Sequence, residues 1–404
     1  MIVFLLLLTQ INPVLRYYQY RFDSTRGVST GIFVSANLEI DTTSWFFMDY
    51  GALLKLSKNI KIDIVIRFKR GNESTYPFYV WHGIGSMDYR KALIRYDHGN
   101  FSLGFGINAP KLSQGNFTTL FFSGEEPGFS QIKFAYKTGK FSFNFLTGQM
   151  KELKTSPFWT EPSTKYFSFH KVSYKFMKNL VLSFSEAALF KSIEDNTVDW
   201  YLINPFVLWY PRQANYGKSD LNAAWIFSLK WRPHPTSLIY GDFLIDDTPY
   251  KREADENPRV GGLLGYKTEN KNWLSILEAS FVTRYTYSYY PDRLYLSWFY
   301  NNSPLGTLTG TDFIKLSMFL EHSSTLFGYL EILLQGEGKS GEPFELGHLS
   351  RKVLLSGDVN KVFRISAGIR QSIRGFKVIL VPGIIYDGNL SGIFCFSISK
   401  IARL

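Results

Sequence analysis

At 404 residues the chain is too long for a single β-sandwich and shorter than a plugged transporter of about 22 strands requires. Its formal net charge of +11 is scattered over strands and turns, with no run of five or more basic residues, which argues against a nucleic-acid-binding protein. The single Cys395 excludes an intrachain disulfide framework, and no apolar run reaches the length of about eighteen residues that a transmembrane helix needs.

In chain order, Ile2–Leu8 is a short apolar run resembling the core of a signal peptide, with no Lys or Arg before it and no clean small-x-small site after it. Residues 1–30 are read as a signal-like segment and periplasmic N-terminal stretch, and residues 31–404 as one barrel domain. From about Ser35 to Ser399, apolar and polar residues alternate with a period of two, the mark of strands with one apolar and one polar face. The predicted strands are Gly31–Ile40, Trp45–Ser57, Ile60–Lys69, Tyr89–Asp97, Asn100–Ile107, Phe129–Lys137, Lys140–Gly148, Tyr166–Phe176 and Asn179–Phe190. They continue as Leu221–Arg232, Thr236–Asp246, Arg259–Thr268, Asn272–Tyr287, Asp312–His322, Thr325–Gln335, Lys361–Ser372, Gly375–Tyr386 and Ser391–Ser399. Asp292–Tyr300 is left as loop, because a strand there breaks the pattern of connections.

That pattern carries the fold. Connectors after even-numbered strands are brief, as at Lys58-Asn59, Thr138-Gly139 and Ser323-Ser324, and several hold the Gly, Asn or Pro of tight turns. Connectors after odd-numbered strands are mostly long, as at Asn108–Gly128, Lys191–Asp220 and Ser288–Thr311. Alternating short and long turns mean that every strand crosses the same layer. The expectation is all-β: a transmembrane antiparallel β-barrel of about 18 strands, with long extracellular loops and short periplasmic turns, in the outer membrane of a Gram-negative-type bacterium. The 17% aromatic content suits rings at both lipid–water interfaces. Outer-membrane lipid and lipopolysaccharide are expected contacts, and a basic lumen or rim suits anionic partners.

The polar register predicts which side chains face the lumen: Asp242, Glu278, Arg284, Lys315, Glu331, Arg364 and Arg370, with Asp246 and Glu321 on the same faces. A one-residue slip would carry these charges onto lipid. Cys395 falls beside Ser397 and Ser399 on the lumen side. Glu186 stands out, in register with the apolar Leu180, Leu182 and Phe184, and so is either past the lipid zone or behind a bulge.

Motifs for catalysis are missing. The histidines at 82, 98, 170, 234, 322 and 348 have no metal-ligand spacing, and no nucleophile elbow or phosphate-binding loop occurs. The carboxylate neighbours Glu125-Glu126 and Asp246-Asp247 would point to opposite faces of a strand, as solvated rim charges rather than a glycosidase pair. No enzyme, cofactor or metal is expected. The long loops instead pair aromatic rings with planar polar groups. Trp200, Tyr201, Asn204, Phe206, Trp209, Tyr210 and Arg212 share one loop; Trp298 and Asn301 share another with Tyr295 and Tyr300; Tyr79, Trp81 and His82 share a third. Such groups suit the flat C–H faces and hydroxyls of sugars. Trp200, Tyr201, Asn204, Trp209, Tyr210, Arg212, Trp298 and Asn301 are the candidate glycan contacts.

Four segments in order, Asn179–Glu186, Tyr201–Phe206, Leu229–Pro233 and Tyr240–Asp247, together resemble the capsule assembly protein Wzi family. Asn100–Pro110 and Ser303–Gly306 look like two further landmarks. The resemblance implies an outer-membrane barrel of eighteen strands, acting as a lectin that helps attach or organise capsular or other exported polysaccharide. The rival expectation, drawn from the basic balance and polar lumen, is a porin-like channel for small anionic or neutral solutes.

Overall fold

The computed structural model describes residues 31–40, 45–70, 80–81, 85–124, 127–151, 164–191, 201–216, 221–247, 258–289, 291–300, 303–339, 342, 354–373 and 376–403. Its wall is built from β1 (Gly31–Ile40), β2 (Trp45–Lys55), β3 (Ile60–Arg70), β4 (Gly85–His98), β5 (Phe101–Asn108), β6 (Phe129–Thr138), β7 (Phe141–Lys151), β8 (Thr164–Met177) and β9 (Leu180–Lys191). It continues through β10 (Leu221–His234), β11 (Ser237–Asp247), β12 (Arg259–Glu269), β13 (Trp273–Val282), β14 (Phe313–His322), β15 (Leu326–Gln335), β16 (Asn360–Ile373), β17 (Phe376–Tyr386) and β18 (Leu390–Arg403). Each strand pairs antiparallel with the next, and β1 pairs with β18 from Gly31 opposite Arg403 to Ile40 opposite Phe394. The sheet is therefore closed and has no edge to offer lipid. The chain is an outer-membrane-type β-barrel.

Alternation sets the two faces of the wall. On β11 Asp242 is buried and Phe243 exposed; on β14 Lys315 is buried while Ile314 and Leu316 are exposed; on β16 Arg364 is buried and Ile365 exposed. The exposed apolar series, including Phe105, Ile132, Leu264, Leu277 and Phe394, forms an outward belt for acyl chains. Tyr136, Phe141, Phe176, Trp231, Tyr266 and Trp273 lie near the short turns and are exposed, as rings at a headgroup boundary are. Cys395 is buried on the inner face, where Ser397 is buried as well.

Three strand ends differ from the sequence reading by four residues or more. β13 stops at Val282, not at Tyr287, because Tyr285 (φ 64°) and Tyr287 (φ 75°) take left-handed backbone and turn the chain off the wall. β4 starts earlier, at Gly85, and β18 runs on to Arg403, where it completes the pairing with β1. The lumen is also not simply polar. Leu244, Ile276, Phe319, Phe327, Tyr329 and Leu333 lie on inner faces and join a buried apolar cluster with Phe117, Leu120, Phe121, Phe122 and Trp298. Apolar residues at both parities weaken the period-two signal here, because the inside of the wall is packed against protein rather than water.

Candidate functional site

The long connection after β5 enters the lumen. Lys111 and Ser123 form an isolated antiparallel bridge, and the Leu112 N–H donates to the Phe122 carbonyl at 3.1 Å, so the loop between them leaves and returns at one point. Its tip crosses the barrel to the inner faces of β11 and β13. There two wall carboxylates receive it. Asp242 accepts from Ser113 Oγ at 2.6 Å, Gln114 N at 2.7 Å and Ser228 Oγ at 2.7 Å. Glu278 accepts from Asn116 N and Phe117 N, each at 2.6 Å, and from Tyr240 Oη at 2.8 Å. Consecutive backbone N–H groups of a loop would otherwise be orphaned in the interior, and ionised acceptors satisfy them strongly. Beyond the tip, Phe117 packs on Tyr329 with ring centroids 5.1 Å apart, Phe121 on Trp298 at 4.9 Å and Phe122 on Phe167 at 4.7 Å.

The turn at the tip depends on Gly115. A Cβ there would lie 1.5 Å from the Thr118 carbonyl oxygen. Gly115→Ala is therefore expected to loosen the tip by about 1–3 kcal/mol, the range for overpacking a filled site. Protease cleavage within residues 112–122 from the extracellular side should speed up, with the barrel wall still heat-stable.

A second inward loop, from Thr283 to Asp312, locks the first. Asp246 accepts from Tyr287 N at 2.9 Å and Trp298 Nε1 at 2.6 Å. Tyr287 Oη donates to the Leu120 carbonyl at 2.6 Å, and Phe122 N donates to the Leu305 carbonyl at 2.7 Å. Burial, with Asp246 beside it, pushes the Tyr287 hydroxyl well above its ordinary pKa, so it stays a donor. Gly306 makes room for the Tyr287 ring. Beneath the plug Glu331 is held between Lys315 (2.9 Å) and Arg364 (3.4 Å), and Tyr329 Oη donates to it at 2.5 Å. Arg370 bridges to Glu321 at 2.7 Å. Other inward cations are paired as well: Lys91 with Asp63, Arg95 with Asp97 at 2.9 Å and Lys267 with Glu269 at 3.2 Å.

Arg284 was expected on a strand facing the lumen. That expectation is corrected: it lies past the end of β13 and ties the loops together, to Glu342 at 2.7 Å and Ser356 Oγ at 3.0 Å.

The connection after β9 behaves oppositely. Its described part, residues 201–216 with helix α1 (Tyr210–Tyr216), packs on the outer face of the wall. Leu202, Ile203, Val207, Trp209 and Tyr210 cover Phe143, Phe145, Ala188, Phe190 and Ala223, which share the lipid-facing parity of their strands. Under this flap lies Glu186, fully buried. It accepts from Trp209 N (2.9 Å), Tyr210 N (2.7 Å) and Trp225 Nε1 (2.8 Å), and His170 Nε2 is 3.3 Å away. No register shift falls at Glu186, so a bulge does not explain it; a protein lid covers it.

The candidate sugar contacts separate accordingly. Trp209 is fully buried, stacked on His170 at 4.5 Å, and Trp298 is fully buried inside the lumen. Neither offers a ring face, which corrects the expectation that they do; both rings serve packing and anchor loops. The two stand on opposite sides of the wall, so the two loops do not converge on one mouth. Tyr210 is half-buried against Trp225 and donates from Oη to Asp247 at 3.2 Å. Tyr201 is exposed with the Arg212 guanidinium 4.5 Å over its ring, and Asn204 is exposed nearby. Trp200 and Asn301 lie outside the described residues, as do Tyr79 and His82. Among the described residues no group of three or more His, Cys, Asp or Glu could hold a metal ion.

No family model matches the chain, and no curated protein matches it. Solved structures do. The chain is similar to Wzi of Escherichia coli, described as an outer-membrane protein involved in group 1 capsule assembly and a carbohydrate-binding β-barrel. The TM-score is 0.64 at 11% identity, over 98% of this chain and 90% of that one. It is also similar to OccK3 of Pseudomonas aeruginosa, with a TM-score of 0.53 at 8% identity over 96% and 99% of the two chains. OccAB4 of Acinetobacter baumannii gives 0.51 at 9% identity, over 93% and 99%. At these identities the likeness establishes the outer-membrane barrel fold.

Proposed function

We propose that this chain is a non-enzymatic, closed outer-membrane barrel that binds exported polysaccharide at the cell surface and helps capsule assembly or attachment, as in the Wzi family. One observation carries the reading: the lumen is crossed by an extracellular loop whose backbone is bonded to the far wall. A loop bonded across the lumen narrows any path through it and supports a binding barrel over an open channel. The carbohydrate-binding barrel of Escherichia coli supports the same reading through its shared fold. The net charge of +11 favours an acidic polysaccharide. Tyr201, exposed with Arg212 stacked on its ring, forms with it the described candidate pair for the sugar.

The test is a binding measurement with purified protein on immobilised acidic capsular polysaccharide, with neutral dextran as control. Salt-sensitive binding to the acidic polymer is expected, weakened about tenfold, or ~1.4 kcal/mol, in Tyr201→Ala/Arg212→Ala. No binding to any exported polysaccharide of its own organism, together with steady conductance of the unaltered protein in a planar bilayer, would return the assignment to a channel.

A further inference from the structure

The flap at residues 201–216 is joined to an extracellular connection, yet it lies against the side of the barrel. Its depth follows from what it touches. The Phe206 ring stacks on Phe143 with centroids 5.8 Å apart and an interplanar angle of 13°. Phe143 is the third residue of β7, one outward-facing row above Phe141, which is 54% exposed beside the short turn at Thr138–Gly139. Trp209 stacks on His170, midway along β8, and Tyr210 rests on Trp225 of β10. Strands of this length cross the hydrocarbon from one rim to the other. The flap therefore occupies the height at which Phe105, Ile132, Phe243 and Leu264 face acyl chains elsewhere around the wall.

Its own outer side fits that place. Phe206 is 84% exposed and Leu208 is 49% exposed, on a segment that carries no acidic residue between Tyr201 and Tyr216. Large apolar side chains at that exposure are unfavourable in water and favourable in lipid. Underneath, the flap seals Glu186 and His170, two groups on the lipid-facing parity that bare hydrocarbon would not tolerate. Both observations point the same way: the flap replaces lipid against β7–β10 and takes over the wall's contact with it.

We infer that residues 201–216 form a membrane-embedded flap, with Phe206 and Leu208 inserted among the acyl chains of the surrounding lipid. The apolar belt of the barrel is then continuous across the flap. Tyr201 and Arg212, at the end of the flap nearer Leu221 and Ala223, stand toward the extracellular boundary.

Depth can be read directly. In a Cys395→Ser background, Phe206→Cys and Leu208→Cys are each labelled with a nitroxide and reconstituted in phosphatidylethanolamine–phosphatidylglycerol vesicles. Phe243→Cys on the bare wall and Asp358→Cys in an exposed loop serve as lipid and water references. The expected result is that both flap labels match Phe243→Cys: strong collision with oxygen, and collision with a water-soluble nickel chelate several-fold weaker than at Asp358→Cys. Chelate access equal to that at Asp358→Cys overturns the inference and makes the flap an aqueous loop. Shielding from both reagents also overturns it, and assigns the face to a second copy of the chain. Phe206 and Leu208 are separate readouts, so a defect in assembling one variant leaves the other decisive.

Discussion

Excising residues 112–122 and joining Lys111 to Ser123 through two glycines is expected to turn a closed barrel into one that conducts steadily in a planar bilayer. The excision is possible without touching the wall, because the Lys111–Ser123 bridge already brings the two ends together. What it removes is tightly held. Each charge-assisted hydrogen bond to Asp242 and Glu278 contributes about 1.5–3 kcal/mol, and each fully buried ring or leucine about 1.5–3 kcal/mol. Leu120, Phe121 and Phe122 are all fully buried. A few of these terms together exceed the ~5.5 kcal/mol that separates a 1:99 from a 99:1 population, so spontaneous opening is rare in the unaltered protein. Asp242→Ala/Glu278→Ala leaves the aromatic contacts in place and should give brief, flickering openings rather than steady ones. An unaltered protein that conducts as well as the excised one would mean that the loop does not close the pore.

Glu331→Ala is expected to be the most damaging single change, costing about 3–5 kcal/mol. The carboxylate stands between Lys315 and Arg364, with side chains 3%, 5% and 8% exposed for Lys315, Glu331 and Arg364. Removing it leaves two cations facing each other in the interior and leaves the Tyr329 hydroxyl only the longer contact to Ser317 Oγ at 3.4 Å. Against a typical margin of about 5–15 kcal/mol, that loss should appear as a lower temperature for the shift from compact to unfolded migration in a gel, and as poor recovery from membranes. Glu331→Gln keeps the shape and one acceptor and should fall between. Replacing Lys315, Glu331 and Arg364 together by Met removes the unpaired charge and should restore most of the stability. If Glu331→Ala alone were neutral, the triad would not be contributing as drawn.

The wall was legible in the sequence because it obeys two local rules. A period of two fixes which side of each strand meets lipid, and connections that alternate between short and long fix which rim each strand end reaches. Those rules suffice for eighteen strands, for Asp242 and Arg364 inward, and for Phe243 and Ile365 outward. The contents and covering of the barrel were not legible, because they depend on contacts between residues far apart in the chain. Nothing near Asn116 announces Glu278 as its partner, and nothing near Glu186 announces that Trp209 and Tyr210 will close over it. Two long loops of similar aromatic content went opposite ways. Trp298 went inward, where Asp246 accepts from its indole N–H, and Trp209 went outward, where it covers Glu186 and His170. Composition made both look like sugar platforms; burial, decided only when the loops met the closed wall, made them anchors. Glu186 was the one trace of this in the sequence, a carboxylate in an apolar register, and only tertiary structure could supply the lid that permits it.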